Sequence, residues 1–349
     1  MIAFRDASSA SFQISDDAWN CFVDRAAWCA PVLNGKSACS PFFSRRRLRD
    51  RAAIAATDGV QIAGCLHPHC CDSRGGVPIS IVIPTKDRPF GLVRAVASAE
   101  AALPVGGEII VVDDGSANAA DEVLRSVEAP ETFTRVVTNP GPNFGPSAAR
   151  NHGVALARHP VVLFLDDDDE VLPDYPKRIL EVANAQPDVA YGTVKRIRRK
   201  PGRKERVILP RGFDRQLPHG RIGGDSPFLR RLVGTNGMWV ARKAFLDVGG
   251  LDEDIFVHED IELCIRFAKA GMPMWLDAQV GYVVHARAAD GDSGRISVTT
   301  SNRRRLASFR KIVRTHGDLL STEEPRMLRK YQRRICWGSL KERVQALLT

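Results

Sequence analysis

The sequence predicts an α/β protein with a mostly parallel central sheet, flanking helices and a basic helical tail. Between residues 77 and 165, short β-branched apolar runs alternate with segments of helical composition, which is the pattern of βαβ units. Three of the apolar runs end in polar signatures, "PTKD", "DDGS" and "DDDD". The carboxyl ends of parallel strands share one edge of a sheet, where ligands bind. We therefore expect these signatures to meet in one site.

The elements of this first half follow in chain order. Short, Val- and Ile-rich runs predict buried strands at 77–85, 107–116, 133–139 and in the run from 161 that ends in the aspartates. Helices are predicted between them at 90–102, 119–127 and 147–159. Ser147 is the expected N-cap of the last helix, and Pro160 is expected to stop it.

The second half begins with a break in this alternation. Residues 195–230 are basic and rich in Gly and Pro, which predicts a long or mobile loop. Beyond it, apolar residues with helical spacing predict a helix that opens at "HED" (258–260) and is stopped by Gly271. One or two further strands are expected in 272–287.

The composition is that of an ordinary globular protein. The chain has 349 residues, of which 44% are hydrophobic and 26% charged. It shows no apolar run near the eighteen or so residues of a membrane span, and its beginning lacks a signal-peptide core. We expect a cytoplasmic protein.

Residues 1–76 form an N-terminal extension whose role the sequence does not indicate. A helix is expected at 45–56 and a linker at 72–76. The segment "CLHPHCC" brings together five possible zinc ligands, Cys65, His67, His69, Cys70 and Cys71. Their spacing matches no standard zinc pattern, so an ordinary loop and a metal site both stay open.

The positive charge is concentrated in the tail. From Arg303 to the end there are 13 Lys or Arg and 4 Asp or Glu, and 13 − 4 = +9 equals the net charge of the whole chain. Leu306, Phe309, Ile312 and Val313 can share one face of a helix, and a second basic helix is plausible at 326–348. Such helices either lie on an anionic membrane surface or pack their apolar face on the main domain. No nucleic-acid motif accompanies the charge.

Four consecutive aspartates, residues 166–169, follow a buried strand. Like charges this close repel each other, and a divalent cation would neutralise them. Oxygen-only ligands suit Mg²⁺ or Mn²⁺ rather than zinc. A solvated acidic turn is the alternative, but the other strand-end acids favour the cation.

The chain resembles the family 2 glycosyltransferases, which have the GT-A (Rossmann-like) fold. The matching segments are "ISIVIPTKDRP", "EIIVVDDGS", "GPSAARNHGVALA", "VVLFLDDDDEVLP", "GGLDE", "HEDIELCIRFAKAG" and, more weakly, "VVHAR". The resemblance implies a catalytic domain at about 77–290, between the extension and a basic C-terminal region at 291–349. It says nothing about either flank.

The resemblance implies a nucleotide-sugar donor, most simply a UDP-sugar. Pro84, Thr85 and Asp87 match the loop that surrounds the nucleoside, and Asp114 matches the residue that accepts a hydrogen bond from uracil. Turn capping is the alternative role for one of the pair Asp113 and Asp114.

Arg150, in the family's "ARN", is expected to face the nucleotide, with a surface cation as the alternative. Asp166 and Asp168 frame the family's D-x-D motif with Asp167 between them. Asp168 is the expected direct metal ligand, while the first acids can also reach the ribose. The register within the four-Asp run stays open. His285 either completes the metal shell or is structural.

For the chemistry, the resemblance makes Asp260 the general base, with Glu259 as the fallback. The base would deprotonate an acceptor hydroxyl, on a glycan, a lipid-linked or another acceptor, that attacks the anomeric carbon with inversion. Asn236 and Trp239 are expected on the acceptor side, although Trp239 is equally suited to the core. The alternative role for Asp260 and Glu259 is that both simply complement the helix dipole.

The resulting prediction is a metal-dependent, inverting glycosyltransferase. Two alternatives stay open: a sugar nucleotidyltransferase, and a non-catalytic module that binds nucleotide sugars. "IPTKDRPFG" lacks the glycine-rich basic loop of the former. Peripheral contact with the inner face of a membrane, through the basic helices, is an accompanying expectation.

Overall fold

The computed structural model describes residues 78–126, 134–141, 145–210, 216–223, 231–286 and 300–323, together with positions 213, 226 and 333. Four of the predictions above fall on residues outside these ranges, and only the last of the four includes a described residue, position 333. They are the helix at 45–56, the linker at 72–76, the Cys and His group of 65–71 and the second tail helix at 326–348.

Ten strands form one sheet. They are β1 (Ile79–Thr85), β2 (Glu108–Asp113), β3 (Thr134–Thr138), β4 (Val161–Phe164), β5 (Glu170–Val171), β6 (Tyr191–Arg199), β7 (Arg206–Ile208), β8 (Gly220–Ile222), β9 (Trp239–Ala241) and β10 (Met274–His285). Seven helices of the described chain accompany them. They are α1 (Pro89–Ala102), α2 (Ala120–Arg125), α3 (Pro146–Leu156), α4 (Tyr175–Ala185), α5 (Arg242–Asp247), α6 (Glu259–Lys269) and α7 (Asn302–Glu323).

The strand order is β3-β2-β1-β4-β9-β6-β10-β5, with β7 paired to β6 and β8 to β10. The first four strands of this order are parallel, as the βαβ pattern predicts. Beyond them β9 lies antiparallel between β4 and β6, while β10 again runs parallel to β6. The predicted α/β fold is confirmed, and its sheet also contains antiparallel strands.

The register of the parallel half brings the strand ends together. Thr85 lies opposite Asp113, and Asp113 lies opposite Thr138. Phe164 pairs with Val82 on the other side of β1, so the aspartates that follow β4 emerge beside the end of β1. The expected meeting of the three polar signatures is a consequence of this register.

The sheet is buried on both faces along its centre. All seven residues of β1 are buried, and alternate residues serve different faces because the side-chain period of a strand is two. Ile79, Ile81 and Ile83 belong to one apolar cluster, whereas Val82 belongs to the other. The near-continuous apolar runs that predicted strands thus reflect burial from both sides.

Two expectations about local structure are wrong. Ser147 is not the N-cap of α3: the cap is Gly145, with φ = 132°, and Pro146 occupies the first turn. Proline has no backbone N–H to lose there and its fixed φ suits a helix start. Residues 195–230 are not one long loop, because their described part contains the end of β6 and both β7 and β8. Edge strands this short and basic lack the apolar alternation by which a strand is predicted.

Helix α7 packs against the main domain, the second of the two arrangements considered for the tail. Phe309 and Ile312 are buried, whereas Val313 is 37% exposed and lies off the packed face. The helix is kinked at His316. Across the described residues, every helix is too short or too polar to cross a membrane.

Close packing of α3 on the sheet generates a stability prediction. A Cβ added at Gly153 would lie 2.4 Å from Cγ1 of Val82 and 3.2 Å from Cγ2 of Val112. We expect Gly153→Ala to destabilise the fold by about 1–3 kcal/mol, since overpacking forces the sheet and helix apart. Urea unfolding followed by circular dichroism measures this change.

The matched control is Gly317→Ala in α7, where an added Cβ meets no atom within 4 Å. That variant should be neutral or slightly more stable, since glycine carries an entropic disadvantage in a helix. Equal destabilisation of both variants would contradict the packing argument.

Candidate active site

A cavity of about 390 Å³ opens at the carboxyl ends of β1, β2 and β4, between α3 and the start of α6. Eleven of the residues singled out from the sequence line it. They are Pro84, Thr85, Asp87, Asp114, Arg150, Asp166, Asp167, Asp168, Asn236, Glu259 and Asp260. Among these eleven residues, positions as far apart in sequence as Pro84 and Asp260 (260 − 84 = 176) therefore meet at one place.

The loop after β1 reaches the aspartates directly. Thr85 Oγ1 donates a hydrogen bond to Asp167 Oδ2 over 2.9 Å. Arg88 Nη1 lies 2.8 Å from Asp167 Oδ1 and 3.2 Å from Asp168 Oδ2. Arg88 carries no role in the sequence-based prediction, although it stands next to Asp87 in "TKDRP".

Asp87 ties this loop to the turn after β2. Its backbone N–H donates to Ser116 Oγ over 2.9 Å, and its Oδ1 accepts from the backbone N–H of Ala117 over 2.7 Å. Asp87 and His258 are the two non-glycine residues of the described chain with positive φ, 52° and 71°. Both line the cavity, and such backbone conformations concentrate at functional sites.

The two acids of "DDGS" have different surroundings. Asp113 accepts hydrogen bonds from the backbone N–H groups of Ser116 and Ala120, over 2.8 and 2.9 Å. It therefore caps the turn and the start of α2. Asp114 lines the cavity and accepts from Asn139 Nδ2 over 2.7 Å and from the Gly145 N–H over 2.6 Å. Turn capping thus belongs to Asp113, the first of the pair.

The first and last of the four aspartates share a hydrogen-bond donor. Asp169 is fully buried and accepts from Asn236 Nδ2 over 3.0 Å and from the His285 N–H over 3.0 Å. Asp166 accepts from Arg150 Nη2 and Asn236 Nδ2, both over 2.6 Å. The amide of Asn236 therefore bridges the first and last aspartates of the run.

Carboxylate oxygens of Asp166, Asp168 and Asp169 all lie within 4.8 Å of one another. This is an all-oxygen donor set of the kind that Mg²⁺ and Mn²⁺ prefer. The residues fit a divalent cation. Asp169 was not among the ligands expected from the sequence, since a run of four aspartates does not reveal which side chains converge.

Burial raises the pKa of Asp167 to about 7, more than the neighbouring Arg88 lowers it; the charge of Asp168 adds to the rise. The same aspartates act on Arg88: burial lowers the pKa of its guanidinium, and Asp167 and Asp168 more than reverse this. The two groups depend on each other, because each would otherwise be a buried, uncompensated charge.

Arg150 joins the aspartates to the start of α6. Its guanidinium is buried, with Nη2 2.6 Å from Asp166 Oδ1 and Nη1 3.4 Å from Glu259 Oε1. It is not the surface cation considered as the alternative. Burial, then the charge of Asp260, raises the pKa of Glu259 to about 7 although Arg150 opposes the shift.

Asp260 shares the first turn of α6 with Glu259 but has a different environment. It lines the cavity, and its Oδ1 accepts from the backbone N–H of Ile261 over 2.7 Å. Within the described residues it forms no ion pair within 4 Å, whereas Glu259 is paired with Arg150. Both acids named as alternative bases line the cavity. They differ in that Glu259 is paired with a cation, whereas Asp260 has no ion pair among the described residues.

Two expected site residues lie elsewhere. Trp239 does not line the cavity: it is 1% exposed and packs in the core, where its ring would collide with a Cβ on Gly192. The side chain of His285 lies with its Nε2 2.5 Å from Glu170 Oε1 and is not in the Asp166–Asp169 ligand group. Burial lowers the pKa of His285 although Glu170 opposes this.

Arg305 of α7 also lines the cavity. No sequence pattern predicts this position, because α7 follows the resembling region and its docking depends on tertiary contacts. The sequence shows the basic, amphipathic pattern of α7 but does not indicate where this helix docks.

Comparison with known families agrees with this geometry. Residues 80–249 match the model of the family described as Glycosyl transferase family 2. The succinoglycan biosynthesis protein ExoU of Rhizobium meliloti (strain 1021) is 30% identical over 274 residues, which cover 74% of this chain and 75% of that protein.

More distant relatives share part of their length with the chain. The pre-mycofactocin glycosyltransferase of Mycobacterium tuberculosis (strain ATCC 25618 / H37Rv) is 26% identical over 243 residues, 65% of this chain and 47% of that protein. The crystal structure of S. aureus TarS 1-349 in complex with UDP-GlcNAc has a TM-score of 0.53 and 17% identity, over 68% of this chain and 65% of that one. This last similarity supports the fold alone.

The raised pKa of Glu259 generates a pH prediction. Its folded-state pKa of about 7 lies above the ordinary 4.5, so the folded protein holds this proton when the unfolded chain has lost it. The contribution of Glu259 to the free energy of unfolding is fully present below the ordinary pKa and falls as the pH rises towards 7. Glutamine is neutral at every pH, so Glu259→Gln does not lose this contribution. The free energy of unfolding of Glu259→Gln should therefore rise relative to that of the wild type between pH 5 and pH 7.5.

Urea titrations of metal-free protein at both pH values measure the difference. Glu181→Gln, an exposed position on α4, is the control and should track the wild type. A Glu259→Gln curve parallel to the wild type over this range would show that the carboxylate is not held in its neutral form.

Proposed function

The chain belongs to glycosyl transferase family 2, and from this premise we propose that it transfers a sugar from a UDP-sugar to an acceptor hydroxyl with inversion. One observation carries the proposal. An acid that faces the cavity, Asp260, stands at the start of α6 across from a converging group of strand-end carboxylates. Asp260 can take a proton from the acceptor hydroxyl. The strand-end carboxylates can hold a cation that stabilises the charge of a diphosphate.

The donor is proposed from Asp114 and the loop around it. Uracil N3–H is a donor and needs an acceptor, and Asp114 is fixed in the cavity by Asn139 and Gly145. Each carboxylate oxygen has two lone pairs, so both retain capacity to accept. TarS was crystallised with UDP-GlcNAc, which makes a UDP-sugar the natural first donor to test.

Asp166, Asp168 and Asp169 would hold Mg²⁺ or Mn²⁺. When bound, such a cation stabilises negative charge on the departing diphosphate. Arg88 and Arg150 already neutralise part of the carboxylate charge. They therefore limit the repulsion that three acids would exert on an incoming diphosphate.

The reaction is a single displacement. The acceptor oxygen forms a bond to the anomeric carbon as the bond from that carbon to the diphosphate oxygen breaks. The hydroxyl proton passes to a carboxylate oxygen of Asp260, and the electron pair of the broken bond leaves with UDP. Attack opposite the leaving group inverts the anomeric carbon, and no covalent enzyme intermediate is needed.

Asp260 is favoured over Glu259 as the base for an electrostatic reason. The Glu259 side chain is engaged by the guanidinium of Arg150, whereas Asp260 forms no ion pair among the described residues and its charge is not compensated in this way. The family match covers residues 80–249 and ends before α6. The role of Asp260 therefore rests on the cavity geometry together with the "HED" resemblance.

Replacing the base should affect turnover more than donor binding. We expect Asp260→Asn to lower the rate of UDP release from a UDP-sugar by roughly 10²–10⁴-fold, the usual contribution of a positioned base. The dissociation constant for UDP should stay within about threefold. A coupled assay for UDP and calorimetry measure the two quantities.

Asp247→Asn, an exposed acid that pairs with Lys243 on α5, is the matched control and should keep wild-type turnover. Glu259→Gln is compared alongside. A larger loss of turnover in Glu259→Gln than in Asp260→Asn would reassign the base to Glu259.

The cation site has its own test. Mn²⁺ should tighten UDP binding to the wild type. Asp168→Ala should reduce this tightening by more than about 10–100-fold, which is the loss of metal affinity typical when an outer-shell partner is removed. Asp188→Ala, an exposed acid paired with Arg221, serves as control. Calorimetric titration of UDP with and without Mn²⁺ gives both values, and an unchanged gain in Asp168→Ala would remove Asp168 from the site.

The same pair of proteins addresses the non-catalytic alternative. A glycosyltransferase should hydrolyse its UDP-sugar slowly in the presence of Mn²⁺, and Asp168→Ala should not. Equal background turnover in both would favour a module that only binds the donor. A sugar nucleotidyltransferase would instead release pyrophosphate from UTP and a sugar phosphate.

A further inference from the structure

Helix α7 contacts the main domain through one stripe of side chains. Arg305, Phe309, Ile312 and His316 follow at intervals of four, three and four, so they share one helix face. Phe309 and Ile312 are buried, and His316 Nε2 lies 2.9 Å from Glu262 Oε1 of α6. At the start of this stripe, Arg305 lines the catalytic cavity. The first turn of α7 therefore stands at the cavity wall.

A second set of contacts fixes α7 to the segment that leads into α6. Lys311 Nζ lies 2.8 Å from Asp252 Oδ1 and 3.0 Å from Asp254 Oδ2. The backbone N–H of Phe256 donates to Ser308 Oγ over 3.2 Å. Only one residue separates Phe256 from the "HED" turn that begins α6.

A groove of about 610 Å³ runs between this segment and α7. Its lining residues are Asp254, Phe256, Arg304, Ala307, Ser308, Lys311, Arg314 and Thr315. The α7 members recur every three or four residues and so form a second stripe, about 15 Å long at 1.5 Å per residue. Phe256 lines both this groove and the catalytic cavity. The two concavities are neighbours that share a wall.

The groove is positively charged. Residues 302–317 contain six Lys or Arg and no Asp or Glu. In the groove, Lys311 is paired with Asp252 and Asp254, whereas Arg304 lies with its guanidinium 4.7 Å from the centre of the Phe256 ring. Arg304 and Arg314 are both exposed. Guanidinium groups bind carboxylates and phosphates in a bidentate manner.

This charge does not serve the helix itself. Arg303, Arg304 and Arg305 occupy the first turn of α7, where the helix dipole favours acids and disfavours cations. Two of them instead bring positive charge to the concavities: Arg305 lines the cavity and Arg304 lines the groove. Charge complementarity therefore points to an anionic molecule that extends from the catalytic cavity.

The location of the groove identifies which substrate it would take. It borders the Phe256–Asp260 side of the cavity, where the proposed base stands, and not the Asp114 side proposed for uracil. We propose that this groove is an acceptor subsite, and that the acceptor is a chain bearing anionic groups such as carboxylates or phosphates. The inference rests on the proposed function, because it names the molecule that receives the sugar.

The test uses the full chain and two defined oligosaccharides, hexagalacturonate as the anionic probe and maltohexaose as the neutral one. Calorimetry in saturating UDP and Mg²⁺ keeps the donor site filled, so that the probe reports on the acceptor side. Hexagalacturonate should bind, and maltohexaose should bind at least tenfold more weakly. The affinity for hexagalacturonate should fall with added salt.

The variant is the pair Arg304→Glu with Arg314→Glu in the groove. Its matched control is Arg303→Glu with Arg310→Glu, which makes the same charge change at exposed positions of the same helix outside the groove. The groove pair should weaken hexagalacturonate binding at least tenfold, and the control pair less than threefold. Circular dichroism and UDP affinity, unchanged in both, establish that the fold and the donor site are intact.

Four outcomes would overturn the proposal. Equal weakening by both pairs would mean diffuse attraction to a basic helix. Equal affinity for the two oligosaccharides, or no binding of hexagalacturonate by a protein that binds UDP, would exclude an anionic acceptor here. Binding to phosphatidylglycerol vesicles that both pairs abolish would identify the helix as a membrane contact instead. Failure to bind UDP at all would count against the proposed function itself, independently of the groove.

Discussion

Neutralising four adjacent aspartates is the constraint on which the rest of this structure depends. Asp167, Asp168 and Asp169 are at most 5% exposed, and a buried carboxylate without partners costs several kcal/mol. The partners come from four separate elements: Arg88 at the start of α1, Arg150 of α3, Asn236 before β9 and the backbone of β10 at His285. The acidic cluster therefore holds together the sheet edge at which it lies, and changing one partner alters both the fold and the site.

A shared ion-pair partner links the acidic cluster to the opposite wall of the cavity. Arg150 contacts Asp166 on one side and Glu259 on the other, so one guanidinium sets the separation between the carboxylates and the start of α6. Further along α6, Glu262 pairs with Arg266 and with His316 of α7. Helix α6 is thus held from both sides by buried polar contacts, with Arg150 of α3 and with His316 of α7. Helix α7 is part of the architecture of the candidate site, because His316 contacts α6 and Arg305 lines the cavity.

These contacts divide the acids of the site by role. Asp113 caps a turn, and Asp169 accepts from Asn236 and from the backbone of His285. Of three further acids that line the cavity, Glu259 is paired with Arg150, whereas Asp114 and Asp260 have no ion pair among the described residues. Asp114 also accepts two structural hydrogen bonds, so its place in the cavity, and not the lack of other partners, distinguishes it from Asp113. The geometry therefore narrows the candidate acids more than residue type does, and it leaves Asp114 at the proposed donor end of the cavity and Asp260 at the proposed acceptor end.

Sequence alone determined the α/β class, the first four strands with their helices and the convergence of "PTKD", "DDGS" and "DDDD", because buried parallel strands have a strong local signal and their ends must share an edge. It also indicated eleven residues that line one cavity. It could not place Trp239 or the His285 side chain, because an aromatic or a histidine after an apolar run has the same local pattern in a core and in a site. It missed Asp169 as a ligand candidate and both Arg88 and Arg305, because these depend on side-chain direction and on contacts between distant segments. Those relations are set by register, by helix docking and by the pairing of buried charges, and none of these is a property of neighbouring residues.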